Sequence, residues 1–298
     1  METITINGQA YGYVVDYKND DKLRQNLNSL TRKVYGFDFE KWYLSGYWGD
    51  YYLPYSLVIG DTMIANISVN VINFLVKGEK RTYIQIGTVL TEKENRNQGL
   101  SRFLLEKVLQ QWTGKCDLIY LFANDSVLDF YPKFGFRRVQ EYQYSKEIEF
   151  QDSQFDVTKL DMSNKENKKR LRDKIYHSVP FAQISVIDNP SVVMFYYTTF
   201  LADNVYYIKE LDVIAIADIE QDTVYLKDVF CEKQVSLDDV MCALSNIEIK
   251  KVALGFTPMD KTSFDESILI PEDVLFILDD RWGTFNDEKL LFPVLSHA

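Results

Sequence analysis

Apolar positions fall at helical spacing across residues 17–45, where Leu23, Leu27, Leu30, Val34 and Tyr35 share one face and predict a helix. Strand patterns follow. Residues 55–60 (YSLVIG), 63–76 (MIANISVNVINFLV) and 82–90 (TYIQIGTVL) are apolar runs rich in β-branched and aromatic residues. Gly60-Asp61 separates the first two and Gly78-Glu79-Lys80 precedes the third, both as turn signals. After Leu90 the chain becomes polar (TEKENRNQGL). It then reads as a helix over 101–112, with Phe103, Leu104, Val108 and Leu109 inward. A buried strand at 117–123, a brief helix at 126–134 and a last strand or hairpin at 136–150 complete the series. This order predicts an α+β domain with a mixed sheet over residues 1–150.

Residues 151–175 are polar and charged, and read as a connecting helix or linker. Strands are predicted again at 204–208, 213–218 and 223–230, then a helix at 237–244 and a strand at 251–256. The succession echoes the first half, ANISVNVINFLV against VIAIADI and IYLFANDS against VALGFTPMDK. A duplication is predicted, with a degenerate second domain over residues 151–298. Where the first half has RNQGLS, the second has FCEKQVSLDD, with no glycine.

Composition narrows the function classes. A length of 298 residues favours two domains, and 46% hydrophobic with 26% charged residues is ordinary for a folded chain. The longest apolar runs, such as 69–76, are broken by Asn70 and Asn73 and are too short to cross a bilayer. The first residues lack the basic and apolar regions of a signal peptide, so no membrane partner and a cytoplasmic location are expected. Cys116, Cys231 and Cys242 are widely spaced with no CxxC pair, which argues against a disulfide framework or a zinc site. With only His177 and His297 present, no histidine-rich metal centre is expected, and a lone histidine is more often a satisfied polar residue than a base. A net charge of −11 argues against a nucleic-acid partner and fits a cationic or amine substrate better.

Two segments carry chemistry. The first is Arg96-Asn97-Gln98-Gly99-Leu100-Ser101, after a strand and at a helix start. Unsatisfied N–H groups at a helix N-terminus and the positive dipole end suit a pyrophosphate, and a missing Cβ at Gly99 lets it approach the backbone. By itself such a loop is an ordinary helix entry. The second segment runs Asn124-Asp125-Ser126-Val127-Leu128-Asp129-Phe130-Tyr131-Pro132-Lys133-Phe134-Gly135-Phe136, directly after a strand. In this order and spacing the two resemble the GNAT superfamily of acyl-coenzyme A-dependent N-acyltransferases. The first is similar to its Q/R-x-x-G-x-G/A loop and the second to its N-x-x-A-x-x-F-Y-x-K-x-G-F segment. Asn124, Phe130, Tyr131, Lys133, Gly135 and Phe136 match, while Val127 replaces the usual alanine and Ser101 the usual Gly or Ala.

The resemblance implies a tandem GNAT-like fold with a sheet splayed open beside TYIQIGTVL. It implies acetyl-coenzyme A (acetyl-CoA) as cosubstrate, no metal, and an amine acceptor, small or peptidic. Arg96, Asn97, Gln98, Gly99, Leu100 and Ser101 would hold the pyrophosphate. The backbone of Val89 and Leu90 would pair with pantetheine, Asn124 would bond a pantetheine amide, and Tyr131 would be the general acid for the leaving thiolate. A packed aromatic among Phe130, Phe134 and Phe136 is the competing reading of Tyr131. Glu40, Asp50, Asp61, Glu92 and Glu94 are candidates for a general base, each read more readily as a surface charge. The aromatic stretch 42–52 reads as an acceptor lid or as interdomain packing. Two other functions are weighed: a coenzyme-binding sensor or scaffold without catalysis, and a tandem-domain aminoacyl transferase using charged tRNA.

Overall fold

Turn chemistry at the N-terminus sets up two strands that the hydrophobic pattern does not announce. Asn7 and Gly8 both take positive φ, the geometry of a tight hairpin turn. They join β1 (Glu2–Ile6) to β2 (Gln9–Val15). The computed structural model describes residues 1–149, 155–245, 248–285 and 288–297. The helix expected over 17–45 is two. Asp20 caps α1 (Asp21–Tyr35) by accepting from the Leu23 N–H at 3.0 Å, and Gly36 ends it in the left-handed region. The short α2 (Glu40–Leu44) follows. Then come β3 (Tyr52–Ile59), β4 (Thr62–Val76), β5 (Glu79–Thr91), α3 (Leu100–Trp112) and β6 (Leu118–Ala123), close to their expected places. Leu104, Leu105 and Val108 of α3 are fully buried against one face of the sheet.

The brief helix expected over 126–134 is instead two short 3-10 turns. Next in the chain are β7 (Arg137–Arg138), β8 (Tyr142–Glu147), β9 (Val157–Lys159), α4 (Lys165–His177), β10 (Ile184–Ile187) and α5 (Ser191–Thr199). The last elements are β11 (Val205–Ile208), β12 (Val213–Glu220), β13 (Thr223–Phe230), α6 (Leu237–Leu244), β14 (Lys251–Leu254), β15 (Asp265–Ile268) and β16 (Val274–Leu278). Among the described residues, nine strands form one mixed sheet and seven form another, and the helices flank both. The architecture is α+β, with two sheets of related plan. In the first, β4 and β5 are antiparallel and β5 runs parallel to β6; in the second, β12, β13 and β14 repeat this arrangement.

The boundary expected at residue 150 lies outside the described residues, but the strands on either side of it do not respect a division into halves. β8 sits in the second sheet, between β14 and β15. β16 sits in the first, between β6 and β7. Each sheet thus takes an inner strand from the other half of the chain. Val274–Leu278 reads VLFIL, the continuous apolar run of a strand covered on both faces. β10 adds a further contact from the second half, pairing with the end of β4.

The aromatic stretch 42–52 belongs mainly to the packing between halves. Trp42 and Trp48 stack at 5.3 Å, the Trp42 Nε1–H donates to the Ser191 carbonyl at 3.0 Å, and the Ser191 hydroxyl donates to the Trp48 carbonyl at 3.2 Å. The end of the chain is also internal. Leu291 and Phe292 are buried, and Tyr120 of β6 donates to the Ser296 carbonyl at 2.9 Å. No helix among the described residues is long and apolar enough to cross a membrane.

Glu141 stands where the chain crosses from the first sheet to the second. It is 2% exposed, and one carboxyl oxygen accepts from the Phe292 N–H at 2.9 Å. Burial pushes its pKa up to about 7, against the opposing pull of that N–H. A carboxyl with a folded pKa above its unfolded value stabilises the fold below pH 4.5 and loses that contribution as pH rises through about 7. At about 1.4 kcal/mol per unit the loss is roughly 3 kcal/mol. Glu141→Gln should therefore flatten stability against pH over this window and raise the urea midpoint at pH 8. Parallel titration curves for the two proteins would refute this account of Glu141.

Candidate active site

The site begins with a defect in pairing. β4 and β5 stay in register from Val76 to Ser68, where Ser68 faces Gly87; Asn66 then faces Leu90, so β5 carries one extra residue. Thr88 sits in this bulge with φ 48°, a conformation rare for a β-branched residue. A buried polar chain holds it. Tyr17 and Ser56 share a hydrogen bond of 2.6 Å, Ser56 donates to Asn66 Oδ1 at 2.7 Å, and Asn66 Nδ2 donates to the Thr88 carbonyl at 2.9 Å. Strain held in place by surrounding bonds is characteristic of functional sites. The bulge was not expected from the sequence, although Ser56, Asn66, Ser68 and Asn70 were visible there as polar residues inside apolar strands.

Just before the bulge the sheet opens. β5 pairs with β6 only from Tyr83 to Gln85, against Leu118 to Tyr120. Beyond Gln85 the two strands diverge, and the predicted contacts Val89 and Leu90 lie on the β5 edge of the gap. The Leu90 side chain is buried. The Val89 carbonyl is reached by the Tyr35 hydroxyl at 3.4 Å, from the last turn of α1.

At the end of the gap lies the loop into α3. Asn97 and Gly99 take positive φ, and Gly99 is the residue before the helix, with no side chain capping it. The first amides of α3 therefore face outward without a side-chain partner. Arg96, Asn97 and Gly99 are exposed, whereas the Leu100 side chain is buried, leaving only its backbone to the site. Ser101 shares a 2.9 Å hydrogen bond with Thr91. Gln98 is a brace: its carbonyl accepts from Asn7 Nδ2 at 2.9 Å and its Oε1 from the Tyr11 hydroxyl at 3.3 Å. The N-terminal hairpin thus buttresses the loop, and Tyr13 packs edge-on against Phe103 of α3.

Across the gap, Asn124 caps the turn after β6, its Oδ1 accepting from the Ser126 N–H at 3.1 Å. The residue is exposed, which leaves its Nδ2 available. Tyr131 is 4% exposed and packs against Phe130, Phe136 and Phe276. Phe276 belongs to β16, so the exchanged strand seats this tyrosine. The phenol makes no hydrogen bond within the described residues, and burial raises its pKa well above the ordinary value. It keeps its proton at neutral pH.

Behind Thr88 is an apolar cavity of about 30 Å³. Phe37, Phe39 and Trp42 from the α1–α2 region wall it on one side, Val192 and Phe195 of α5 on the other. Tyr52 and Asn70 complete it, with the Tyr52 hydroxyl 3.0 Å from Thr88 Oγ1.

None of the carboxylates considered as a base joins this group. Glu40 accepts from Asn28 at 2.7 Å and from Arg24 at 3.2 Å. Asp50 pairs with Lys18, Asp61 with Lys22 at 2.6 Å and Glu92 with Lys33 at 2.7 Å, while Glu94 is exposed. His177 is exposed on α4. His297 stacks on Phe122 at 3.6 Å, and burial lowers its pKa to about 3, so it is neutral. Among the described residues no group of His, Cys, Asp or Glu is placed to hold a metal ion.

The second sheet repeats the gap and then closes it. β13 pairs with β14 from Thr223 to Leu226, after which the strands part. The chain between α4 and β10 runs into the opening. Its Val179 N–H donates to the Cys231 carbonyl at 2.8 Å on one side. On the other, the Gln183 N–H donates to the Thr257 carbonyl at 2.9 Å and the Met259 N–H to the Phe181 carbonyl at 3.2 Å.

Residues 67–156 match the acetyltransferase (GNAT) domain model. Among solved structures, a conserved protein of unknown function from Enterococcus faecalis, a probable N-acyltransferase, overlays with TM-score 0.61 at 13% identity. The overlay spans 93% of this chain and 74% of that one. GCN5-related N-acetyltransferases from Anabaena variabilis and Kribbella flavida overlay with TM-scores 0.55 and 0.54, at 14% and 12% identity. Each spans 90% of this chain and 72% of theirs. No curated protein sequence matches the chain. The fold is that of the GNAT acyltransferases, with a second sheet of related plan.

The polar chain at the bulge is open to direct test. Asn66→Leu would leave the Ser56 hydroxyl and the Thr88 carbonyl without their buried partner, at a cost of about 2–3 kcal/mol. Urea denaturation should show that loss. A change below about 0.5 kcal/mol would mean that the bulge does not depend on Asn66.

Proposed function

We propose that this chain, whose residues 67–156 match the GNAT acetyltransferase domain model, transfers an acetyl group from acetyl-CoA to a primary amine of a small-molecule or peptide acceptor. The observation that carries this reading is a coincidence along β5, where it parts from β6 inside the sheet. An opened strand pair, a strained bulge and an uncapped helix N-terminus behind Gly99 line up along a single groove. In this reading the outward amides of Gly99, Leu100 and Ser101 hold the pyrophosphate with the helix dipole, and Arg96 and Asn97 flank it. Gln98 acts through its brace to Asn7 and Tyr11 rather than by touching the ligand. The pantetheine arm pairs with the backbone at Val89 and Leu90, displacing the long Tyr35 contact, and Asn124 Nδ2 donates to a pantetheine carbonyl.

The amine nitrogen attacks the thioester carbonyl carbon in a ternary complex, and the carbon–sulfur bond breaks. Tyr131, protonated and without a competing partner, gives its proton to the leaving thiolate. The proton that the nitrogen sheds on becoming an amide returns to the Tyr131 phenolate, directly or through water. The amine must arrive with its lone pair free, and an apolar site favours its neutral form by desolvation. The acidic net charge of −11 fits attraction of cationic amines to the surface. The same reading places the protein in the cytoplasm.

Calorimetry with coenzyme A tests the groove. One equivalent should bind per chain, because backbone already fills the second gap. Gly99→Asn, which tolerates positive φ but adds a side chain over the amides, should weaken binding at least tenfold with little change in melting temperature. Unchanged affinity would remove this loop from the mechanism. Two equivalents per chain would show that the second gap opens.

Tyr131→Phe separates acid catalysis from packing. It should lower kcat by about 10²- to 10⁴-fold with coenzyme affinity preserved. A drop smaller than about threefold would leave the tyrosine a packing residue only.

A further inference from the structure

The cavity behind Thr88 sits where the thioester carbonyl would lie on the proposed reading, and its composition indicates what enters it. Aromatic rings and Val192 dominate the lining, and no carboxylate takes part. A cationic amine would meet no counter-charge there. A short hydrocarbon tail would meet mainly apolar contacts, with Asn70, Thr88 and the Tyr52 hydroxyl as the polar part of the lining. From these observations we propose that the cavity receives the acyl chain of the coenzyme thioester and sets its maximum length, an inference that rests on the acyl-transfer reading above.

The volume fixes the length. A cavity of about 30 Å³ has room for roughly two water-sized groups. With the carbonyl carbon at the bulge, those groups are the methyl of an acetyl, or the methylene and methyl of a propionyl. A butyryl or longer tail runs into the far wall. That wall is α5, through Val192 and Phe195, which are 3% and 8% exposed. The helix is held from below by the Trp42 Nε1–H on the Ser191 carbonyl, and Phe195 packs on Trp42 and Phe39 at 5.5 Å. The second half of the chain thereby measures a substrate that the first half binds. Val192 and Phe195 are specificity-determining residues in this sense, with no part in the chemistry.

Equilibrium binding to the full chain tests this without any acceptor. The probes are coenzyme A and its acetyl, propionyl, butyryl and hexanoyl thioesters. Affinity should hold or rise by up to about fourfold from acetyl to propionyl, the value of one buried methylene. It should then fall at least tenfold by hexanoyl. Val192→Ala should move the break outward by about one carbon. Phe195→Ala should move it further; Val192→Ala is the milder change should the aromatic cluster not survive the other. A profile flat from acetyl to hexanoyl, with all thioesters bound, would overturn the proposal and leave the acyl-transfer reading intact. A break that stays in place in Val192→Ala would overturn it as well. If neither coenzyme A nor any thioester binds, both readings fall together.

Discussion

The parting of β5 from β6 after Gln85 is the constraint on which the rest of the molecule depends. Two parallel strands that separate leave backbone donors and acceptors facing each other across a gap, and those groups require partners. In the first sheet the β5–β6 pairing stops at Gln85, and on the proposed reading Val89 and Leu90 edge the gap on one side and Asn124 and Tyr131 on the other. The bulge at Thr88 interrupts the β4–β5 ladder between Gly87 and Leu90, and the Ser56–Asn66 hydrogen bonds hold it in place. In the second sheet residues 179–183 supply the partners. One structural device thus yields an open groove in one unit and a sealed joint in the other.

Strand exchange follows the same economy of pairing. β6 needs a neighbour on its outer side, and β16 supplies it from more than a hundred residues away, while β8 does the corresponding work beside β14. The consequence reaches the chemistry, because Phe276 of β16 packs on Tyr131. α5 reaches the opposite side of the groove and walls the cavity behind Thr88. On the proposed reading, neither half of the chain holds a complete site alone. Glu141, buried at the crossing, marks a cost of this weave, since a carboxyl there resists ionisation.

Much of this was legible in the residues. Turn signals and period placed β3 to β6 and α3 within a few positions, since local backbone preference and one-sided burial are written in neighbouring residues. The Gly99 loop and the Asn124–Phe136 segment marked the two edges of the groove for the same reason: helix entry and a tight turn demand particular residue types nearby. The echo of β4 and β6 in β12 and β14 was readable as a second copy. Asn7-Gly8 carried a hairpin signal too, although hydrophobic pattern alone did not identify its strands.

What only the tertiary structure decided is which distant pieces meet. An apolar run such as VLFIL will pair with any edge of suitable length, so its sequence does not say that β16 enters the first sheet. The polar residues of β3 and β4 declare burial but not the bulge they support. Trp42 and Trp48 could be read as a lid until Ser191 was found bonded to both. The carboxylates offered as bases are each taken by the surface, by Lys or by Asn28 and Arg24, and only folding assigns those partners. Local pattern fixes elements because the interactions behind it span a few residues; the site is assembled by contacts that span the whole chain.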